Sequence, residues 1–358
     1  MLAFVVVCGA RAGASPGTFA KVRQIRVVQM IGDQKRPAAF TIDREGRIFF
    51  GERLTGEIQI LDPPARNGRP LFTIPNVVGK LQTTQGLLGI ALDPHYPARP
   101  YVYAYVTREI GGRLLNQVVR VTDHDGTGTN LRVIFSTPGE PTNQGGRILF
   151  GPDHMLYVMI GEGHHPEEAQ DPQSTNGKIL RMTRMGRIPS DNPSENSFVY
   201  ARGLRNSYGF AFDPLTGNLW ETDNGPACND ELNLIVASRN YGWGPRASCD
   251  TPPSPPRNTN RDGNDPILPK LWYTPTIAPT GVAFCDSCGL GEARKGDLFF
   301  GSFNTGTIHE VTLGANRNGV TSQTIAYQHS QAVLSLETGP KGAIYFSDSE
   351  GIYRLKVG

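Results

Sequence analysis

The sequence lacks several features that would define common protein classes. No interior segment approaches the ~20 apolar residues of a membrane helix, so an integral membrane protein is not expected. Charges are spread without runs, and the net charge of +2 gives no electrostatic basis for binding nucleic acid. There is no dinucleotide-binding glycine motif, phosphate-binding loop or nucleophile elbow. These absences exclude several large enzyme classes.

Glycine and proline, by contrast, are abundant. The chain of 358 residues contains 42 Gly and 28 Pro at a hydrophobic content of 38%. Both residues interrupt regular structure, so their abundance favours many short strands joined by turns. No stretch has the periodicity of a long amphipathic helix. The composition therefore predicts an all-β protein.

The N-terminus and the cysteines point to an oxidising compartment. Residues 1–14 combine an apolar run with a small-x-small pattern and no positive start, which is typical of a secretory signal remnant or of an apolar first strand. Cleavage would remove Cys8. Four cysteines would remain, a number that suits two disulfides; they are Cys228, Cys249, Cys285 and Cys288. A zinc site at the CxxC pair is the alternative. We expect a periplasmic or secreted protein.

An internal repeat indicates the architecture. A strand, a turn with Asp or Gly and a second strand return six times, at 40–50, 90–106, 149–160, 210–222, 284–302 and 336–348. A third strand follows each instance. Repeats of this spacing are typical of propeller blades, which need one another to bury both faces. We therefore predict one six-bladed β-propeller domain over residues 20–358, with 247–270 as a long loop; a pair of β-sandwiches is the alternative.

The repeat also predicts which loops lie together. Segments before the first strand and after the second emerge at one end of every blade, because the two strands form an antiparallel hairpin. This end would hold Gln85, Asn143, Gln144, Arg205, Asn206, Thr280, Asn304, 162–170 and 223–226. The turns at the other end contain Asp43, Asp93, Asp153 and Asp213. We expect a ligand site at the first end, which we call the mouth.

At these residues the sequence resembles the soluble quinoprotein sugar dehydrogenases, the glucose/sorbosone dehydrogenase family of six-bladed propellers that use pyrroloquinoline quinone (PQQ) and calcium. The similarity runs from about Gln29 to Leu355. It rests on QGLLGIALDP, GGRILFGPD, GKILRM, GRIPSDNP, GLRNSYGFAFDP, WETDNGP, DELNLI, NYGWG and APTGVAF. The resemblance implies oxidation of an aldose sugar at C1, with electrons passed to an external acceptor.

The resemblance also identifies a departure at the catalytic position. In the family a histidine opens the motif His-Asn-Gly-Gly-Arg and acts as the base, whereas this chain has Asn143. An amide is no useful proton acceptor near neutral pH, and a general base contributes roughly 10²- to 10⁴-fold. His164 and His165 emerge at the same hairpin end and are the candidate replacements; as exposed loop histidines they would have no catalytic role.

The cofactor contacts implied by the resemblance are only partly retained. Arg205 and Asn206 match the family's contacts to PQQ, and Gln85 and Gln170 match polar residues near that pocket. The family's fifth-blade lysine is replaced by Asn304, and its sixth-blade arginines by residues 330–337. A quinone with three carboxylates requires charge-assisted partners, so the anchoring charge is reduced. Arg205 as a structural arginine between blades is the alternative.

Calcium binding depends less on side-chain identity than binding of the quinone does. The family's cofactor-side calcium is held by backbone carbonyls of a Gly-Pro pair, matched by Gly225 and Pro226, and its structural calcium by the residues matching Glu231 and Tyr241. Carbonyl and carboxylate oxygens suit this hard cation. A turn-capping role for Glu231 is the alternative.

Two function classes therefore remain besides the PQQ- and calcium-dependent aldose dehydrogenase. One is a calcium-stabilised carbohydrate- or protein-binding propeller without catalysis. The other is a calcium-dependent hydrolase or lactonase, which would need Glu162 or Asp223 as a metal ligand.

Overall fold

The computed structural model describes residues 24–34, 36–250 and 252–358. The predicted signal remnant, residues 1–14, and Cys8 lie outside this range. The strands, in chain order, are β1 (Ile25–Ile31), β2 (Ala39–Ile42), β3 (Ile48–Gly51), β4 (Glu57–Leu61), β5 (Arg69–Thr73), β6 (Leu87–Leu92), β7 (Tyr101–Ile110), β8 (Arg113–His124), β9 (Thr127–Pro138), β10 (Gly145–Phe150), β11 (Leu156–Ile160), β12 (Lys178–Met182), β13 (Val199–Arg202), β14 (Ser207–Phe212), β15 (Leu219–Asp223), β16 (Asp230–Ile235), β17 (Leu271–Tyr273), β18 (Pro279–Phe284), β19 (Leu298–Ser302), β20 (Thr307–Leu313), β21 (Val320–Gln328), β22 (Ser335–Thr338), β23 (Ile344–Ser347) and β24 (Ile352–Val357). Between them lie two 3₁₀ turns, Glu292–Arg294 and Pro340–Gly342.

These strands form six four-stranded antiparallel sheets, which are the blades of a β-propeller. Blades 1 to 5 are β2–β5, β6–β9, β10–β13, β14–β17 and β18–β21, and blade 6 is β22–β24 with β1. The prediction of a six-bladed all-β propeller is confirmed. The first two strands of each blade coincide with the predicted repeat, and residues 247–250 and 252–270 carry no strand.

The ring is closed by a strand from the other end of the chain. β1 pairs antiparallel with β24, so that Ile25 lies opposite Val357 and Val27 opposite Leu355. Blade 6 thus takes its outermost strand from the start of the described chain and its other three strands from the end. This pairing joins the first and last blades without a covalent bond.

The hydrophobic core consists of layers between successive blades. Phe49 of blade 1 packs with Val102 of blade 2, and Trp220 of blade 4 packs with Phe300 of blade 5. Near the axis the inner strands approach so closely that a side chain would not fit: a Cβ on Gly209 would lie 2.2 Å from the Thr280 carbonyl oxygen. Glycine at this position allows the inner strands of blades 4 and 5 to pack together.

The acidic turns lie at the end opposite the mouth, as predicted. A cavity of about 570 Å³ at this end is lined by Asp43, Asp93 and Asp213. The side chain of Asp43 accepts the backbone N–H groups of Glu45 and Arg47 and pairs with the Arg47 guanidinium at 2.7 Å. Asp93, Asp153 and Asp213 likewise accept a backbone N–H two residues on and pair with an arginine. Their role is therefore to fix the turns.

A buried arginine crosses the propeller axis. Arg147 of blade 3 donates to Ser335 Oγ at 2.7 Å and to the Leu336 carbonyl at 3.0 Å, and it forms an ion pair with Glu337 of blade 6. Burial lowers the pKa of Arg147 to about 10. Because blades 3 and 6 face each other across the ring, this cluster links two opposite blades.

The four remaining cysteines form two disulfides, Cys228–Cys249 and Cys285–Cys288. The prediction of two disulfides is confirmed, and the zinc alternative for the CxxC pair is wrong. None of the described helices has the length and apolar character needed to cross a membrane.

Candidate functional site at the mouth of the propeller

A cavity of about 300 Å³ lies at the mouth. Its walls include Asn206 and Thr280, which the repeat predicts to lie at the mouth. They also include residues close in sequence to predicted positions, namely Thr84, Tyr208 and Phe303. Apolar residues, Leu88 and Leu334 among them, complete the wall. The volume is at the lower end of the range for small-molecule sites.

Of the five predicted cofactor contacts, Asn206 lines this cavity. Its side-chain oxygen accepts the Gly145 N–H at 3.2 Å, which joins blade 4 to the glycine motif of blade 3. The backbone N–H groups of Arg205 and Asn206 both donate to the Asp223 carboxylate, at 2.7 and 2.6 Å. Burial raises the pKa of Asp223 to about 6, although these two N–H groups oppose the shift. Asp223 therefore positions the Arg205–Asn206 segment.

Arg205 faces the neighbouring loop. Its Nη1 donates to the carbonyl oxygens of Asn224 and Gly225, both at 2.9 Å, and the guanidinium lies 5.5 Å from the Trp243 ring centre. The arginine is thus engaged in holding the 224–225 turn. Asn224, which precedes the predicted Gly-Pro calcium ligands, lines the cavity.

The other three predicted contacts brace loops beside the cavity. Gln85 is buried and donates to the Glu140 carbonyl at 3.3 Å. Gln170 donates to Asn240 Oδ1 at 3.0 Å and to the Trp243 carbonyl at 2.6 Å. Asn304 donates to the Thr276 carbonyl at 3.2 Å. None of the three side chains lines the cavity.

Asn143 lies beside a buried carboxylate. Its Nδ2 donates to Glu162 Oε1 at 2.5 Å, and both residues are less than 10% exposed. Glu162 Oε2 has no hydrogen-bond partner among the described residues. The Glu162 N–H donates to the Arg205 carbonyl at 2.7 Å, which ties the pair to the segment that carries Asn206. Neither Asn143 nor Glu162 lines the cavity.

The two candidate histidines contact residues of neighbouring loops. His164 is exposed and its Nε2 contacts Thr142 Oγ1. His165 lies between two carboxylates, 3.6 Å from Glu140 and 3.7 Å from Glu167. Neither histidine lines the cavity.

The predicted metal ligands fall in two places. At the first, Gly225 accepts from Arg205 through its carbonyl and donates its N–H to Asp230 at 2.8 Å, while Pro226 is exposed. A cation bound to this carbonyl would share it with the Arg205 guanidinium. At the second, Tyr241 accepts the Asn260 amide at 2.6 Å through its carbonyl.

Glu231 belongs to a cluster of buried oxygens on one face of blade 4. The Asn233 amide donates to both Glu231, at 3.0 Å, and Glu221, at 3.2 Å, while Glu221 Oε1 and Asn233 Oδ1 have no partner among the described residues. Burial and the charge of Asp223 raise the pKa of Glu231 to about 8, and burial raises that of Glu221 strongly. Unpaired buried oxygens of this kind favour a bound cation.

The described residues contain no group of three or more His, Cys, Asp or Glu side chains arranged to hold a metal. A cation at blade 4 would therefore depend on two carboxylates together with amide and carbonyl oxygens. Glu221 was missed by sequence reasoning, although its alternation with Asp223 along β15 places both on one face.

Two arginines of the cavity wall were also missed. Arg36 and Arg53 both line the cavity. They precede β2 and follow β3, which are mouth positions of the first repeat. The rule applied to the later blades would have identified them.

Comparison with known proteins agrees with this architecture. The sequence profile of the glucose/sorbosone dehydrogenase family matches residues 34–355. An aldose sugar dehydrogenase of Escherichia coli, YliI, is 27% identical over 96% of this chain and 94% of its own length. The quinoprotein glucose dehydrogenase B of Acinetobacter calcoaceticus is 32% identical over 64% of this chain and 55% of its own.

A solved structure shares the fold. The PQQ-bound aldose sugar dehydrogenase of Streptomyces coelicolor superposes with a TM-score of 0.79 at 24% identity, over 94% of this chain and 99% of the other. At this identity the similarity establishes the propeller fold alone. Because the profile match spans nearly the whole described chain, this protein belongs to the glucose/sorbosone dehydrogenase family.

Proposed function

We propose that this protein is a PQQ- and calcium-dependent oxidoreductase that oxidises an aldose sugar at C1. The observation that supports the proposal most is the mouth cavity, which combines Asn206, the aromatic rings of Tyr208 and Phe303 and the arginines Arg36 and Arg53. An external acceptor would reoxidise the cofactor. The predicted signal remnant favours a periplasmic or secreted protein.

The residues around the cavity fit the quinone. PQQ is a planar polycarboxylate, and the wall offers aromatic and apolar surface together with amide and guanidinium donors. When bound, the quinone supplies the hydride acceptor. Asn206 and Thr280 would orient it from blades 4 and 5.

The donor sets fit calcium to different degrees. Glu231, Glu221 and Asn233 offer two oxygens without donors, which suits a structural cation. At Gly225 the carbonyl has only one lone pair left beside Arg205. We therefore assign the structural site to Glu231, Glu221, Asn233 and the Tyr241 carbonyl, and the cofactor-side cation to the Gly225 and Pro226 carbonyls.

Glu162 is the group that can replace the missing base. Asn143 cannot accept a proton, but it holds Glu162 Oε1 and leaves Oε2 unpaired. A carboxylate is one of the side chains that can act as a general base. The sugar hydroxyl proton would pass to Glu162 Oε2; His164 and His165 are the alternative acceptors.

The test is titration of the purified apoprotein with PQQ, with and without calcium, followed by absorbance, and then addition of an aldose. Calcium-dependent binding followed by sugar-driven bleaching of the quinone is expected. Failure of PQQ to bind, with calcium still raising the melting temperature, would contradict the proposal and favour the non-catalytic binding propeller. A glucose analogue without the C1 hydroxyl serves as the control substrate.

A further inference from the structure

The blade 1 wall of the mouth cavity carries two positive charges and no negative one. Arg36 and Arg53 both line the cavity, whereas its lining contains no Asp or Glu. Neither arginine forms a salt bridge with a carboxylate in the described part of the chain. Within the part of the chain that the structure describes, no carboxylate therefore neutralises the charge of this wall.

Arg53 is held in place by neutral acceptors. Its Nη1 donates to the carbonyls of Thr83 and Gln85, at 2.9 and 2.8 Å, and its Nη2 to that of Lys80, at 3.1 Å. Carbonyl oxygens satisfy the donors but bring no net charge. The side chain is only 7% exposed, so water screens the charge weakly. Arg53 is thus a fixed, buried positive charge.

Arg36 has a fixed backbone and an uncommitted guanidinium. Its N–H donates to the Ser349 carbonyl at 3.1 Å, and its own carbonyl accepts the N–H groups of Ala38 and Arg53. Its guanidinium has no hydrogen bond or ion pair with the described residues.

Burial lowers the pKa of Arg53, and the nearby charge of Arg36 lowers it further. The like charges repel, and a bound anion would relieve the repulsion.

The rest of the wall determines which kind of anion the cavity suits. Tyr208 and Phe303 provide aromatic rings, and Leu88 and Leu334 provide apolar surface. A guanidinium binds a carboxylate through two parallel hydrogen bonds, which an ammonium cannot reproduce. The cavity therefore suits an organic ligand with a carboxylate at one edge rather than a small hydrated anion.

We propose that Arg36 and Arg53 form a carboxylate-binding wall, with Arg36 making the direct contact and Arg53 fixing the local positive charge. The positive charge that anchors the ligand then lies on blade 1, rather than on blades 5 and 6 as in the family. The carboxylate belongs either to the quinone cofactor or to an acidic sugar substrate such as a uronate. The inference uses the cavity of the proposed function, but it concerns which ligand group is bound and by which residues.

The test is isothermal titration calorimetry on the wild-type chain and on Arg36→Gln. The probes are PQQ with calcium, then galacturonate and galactose on protein with and without PQQ. Arg36 is substituted rather than Arg53, because Arg53 also donates to three loop carbonyls and its loss would disturb the loop. We expect about 10- to 100-fold weaker binding of the carboxylate probe, with galactose unchanged. Arg36→Lys should recover only part of the loss.

Arg113→Gln is the matched control, because it removes one positive charge from the exposed β7–β8 hairpin. It should leave every affinity unchanged. A loss confined to PQQ assigns the wall to the cofactor, and a loss confined to galacturonate assigns it to the substrate. If neither probe distinguishes wild type from Arg36→Gln, or if neither binds the wild type, the proposal is wrong.

The same data separate this inference from the proposed function. Sugar-driven quinone bleaching with unchanged affinity in Arg36→Gln would contradict the wall and leave the dehydrogenase intact. Carboxylate binding that depends on Arg36, without bleaching by any aldose, would contradict the dehydrogenase and leave the wall intact.

Discussion

The amide nitrogen of Asn143 donates a 2.5 Å hydrogen bond to Glu162 Oε1, and the second carboxylate oxygen of Glu162 has no partner among the described residues. The neutral side chain that we propose to stand at the position of the family's base therefore lies directly beside an acidic one. If Glu162 accepts the substrate proton, then Asn143 acts as a positioning residue that determines which carboxylate oxygen is free.

Glu162→Gln is expected to lower the rate of quinone reduction by roughly 10²- to 10⁴-fold, because the amide cannot accept a proton. PQQ affinity should change little. Single-turnover bleaching measures the rate, and absorbance titration measures the affinity. His164→Ala and His165→Ala serve as controls. A large rate loss in either of these, with full activity in Glu162→Gln, would show that a histidine is the base.

Calcium is expected to stabilise the protein through the buried oxygens of blade 4. At a concentration of about 100 times its Kd it should add about 2.7 kcal/mol to the free energy of unfolding, and EDTA should remove this gain. Glu231→Gln should reduce the calcium-dependent gain, because the amide lacks the charge that a hard cation prefers. Thermal unfolding with and without calcium measures this gain in wild type and variant. Glu109→Gln, at an exposed site, should retain the full gain.

Stability is expected to fall in acid through His309. This ring is buried, stacks on Phe300 with ring centres 4.6 Å apart, and has its pKa lowered by burial to about 4. The unfolded chain protonates near pH 6.5, so the stability is complete above that pH and is lost progressively down to about pH 4. The loss should approach about 3 kcal/mol.

Urea unfolding from pH 4 to 8 tests the histidine effect. The difference in unfolding free energy between wild type and His309→Gln should shrink as the pH falls from 6.5 to 4, because the variant has no group to protonate there. His124→Gln, at an exposed position, should show the wild-type dependence. A constant difference across the range would refute the assignment.

Loss of the longer disulfide is expected to cost more than loss of the shorter. Cys228 and Cys249 are 21 residues apart, whereas Cys285 and Cys288 are 3 apart. Loop-closure entropy predicts losses of about 3 and about 2 kcal/mol when each pair is changed to serine. Urea unfolding of both double variants measures this. Equal losses would mean that chain entropy is not the main contribution.

Local patterns determined much of this protein. Alternating apolar residues and turns with Asp or Gly predicted the inner hairpin of every blade, because strand periodicity and tight turns depend on neighbours in sequence. The same hairpins predicted that Asn206 and Thr280 share the mouth. The family motifs added the glucose/sorbosone dehydrogenase assignment.

Tertiary structure alone decided the rest. The outer strand β21 is mostly exposed and carries no repeat pattern, and β1 closes the ring by pairing with residues at the far end of the chain. The pairing of Asn143 with Glu162, and of Arg53 with the 80–85 loop, likewise joins segments distant in sequence. Such contacts depend on how six blades pack around one axis, and sequence periodicity carries no record of which loop side chains then meet.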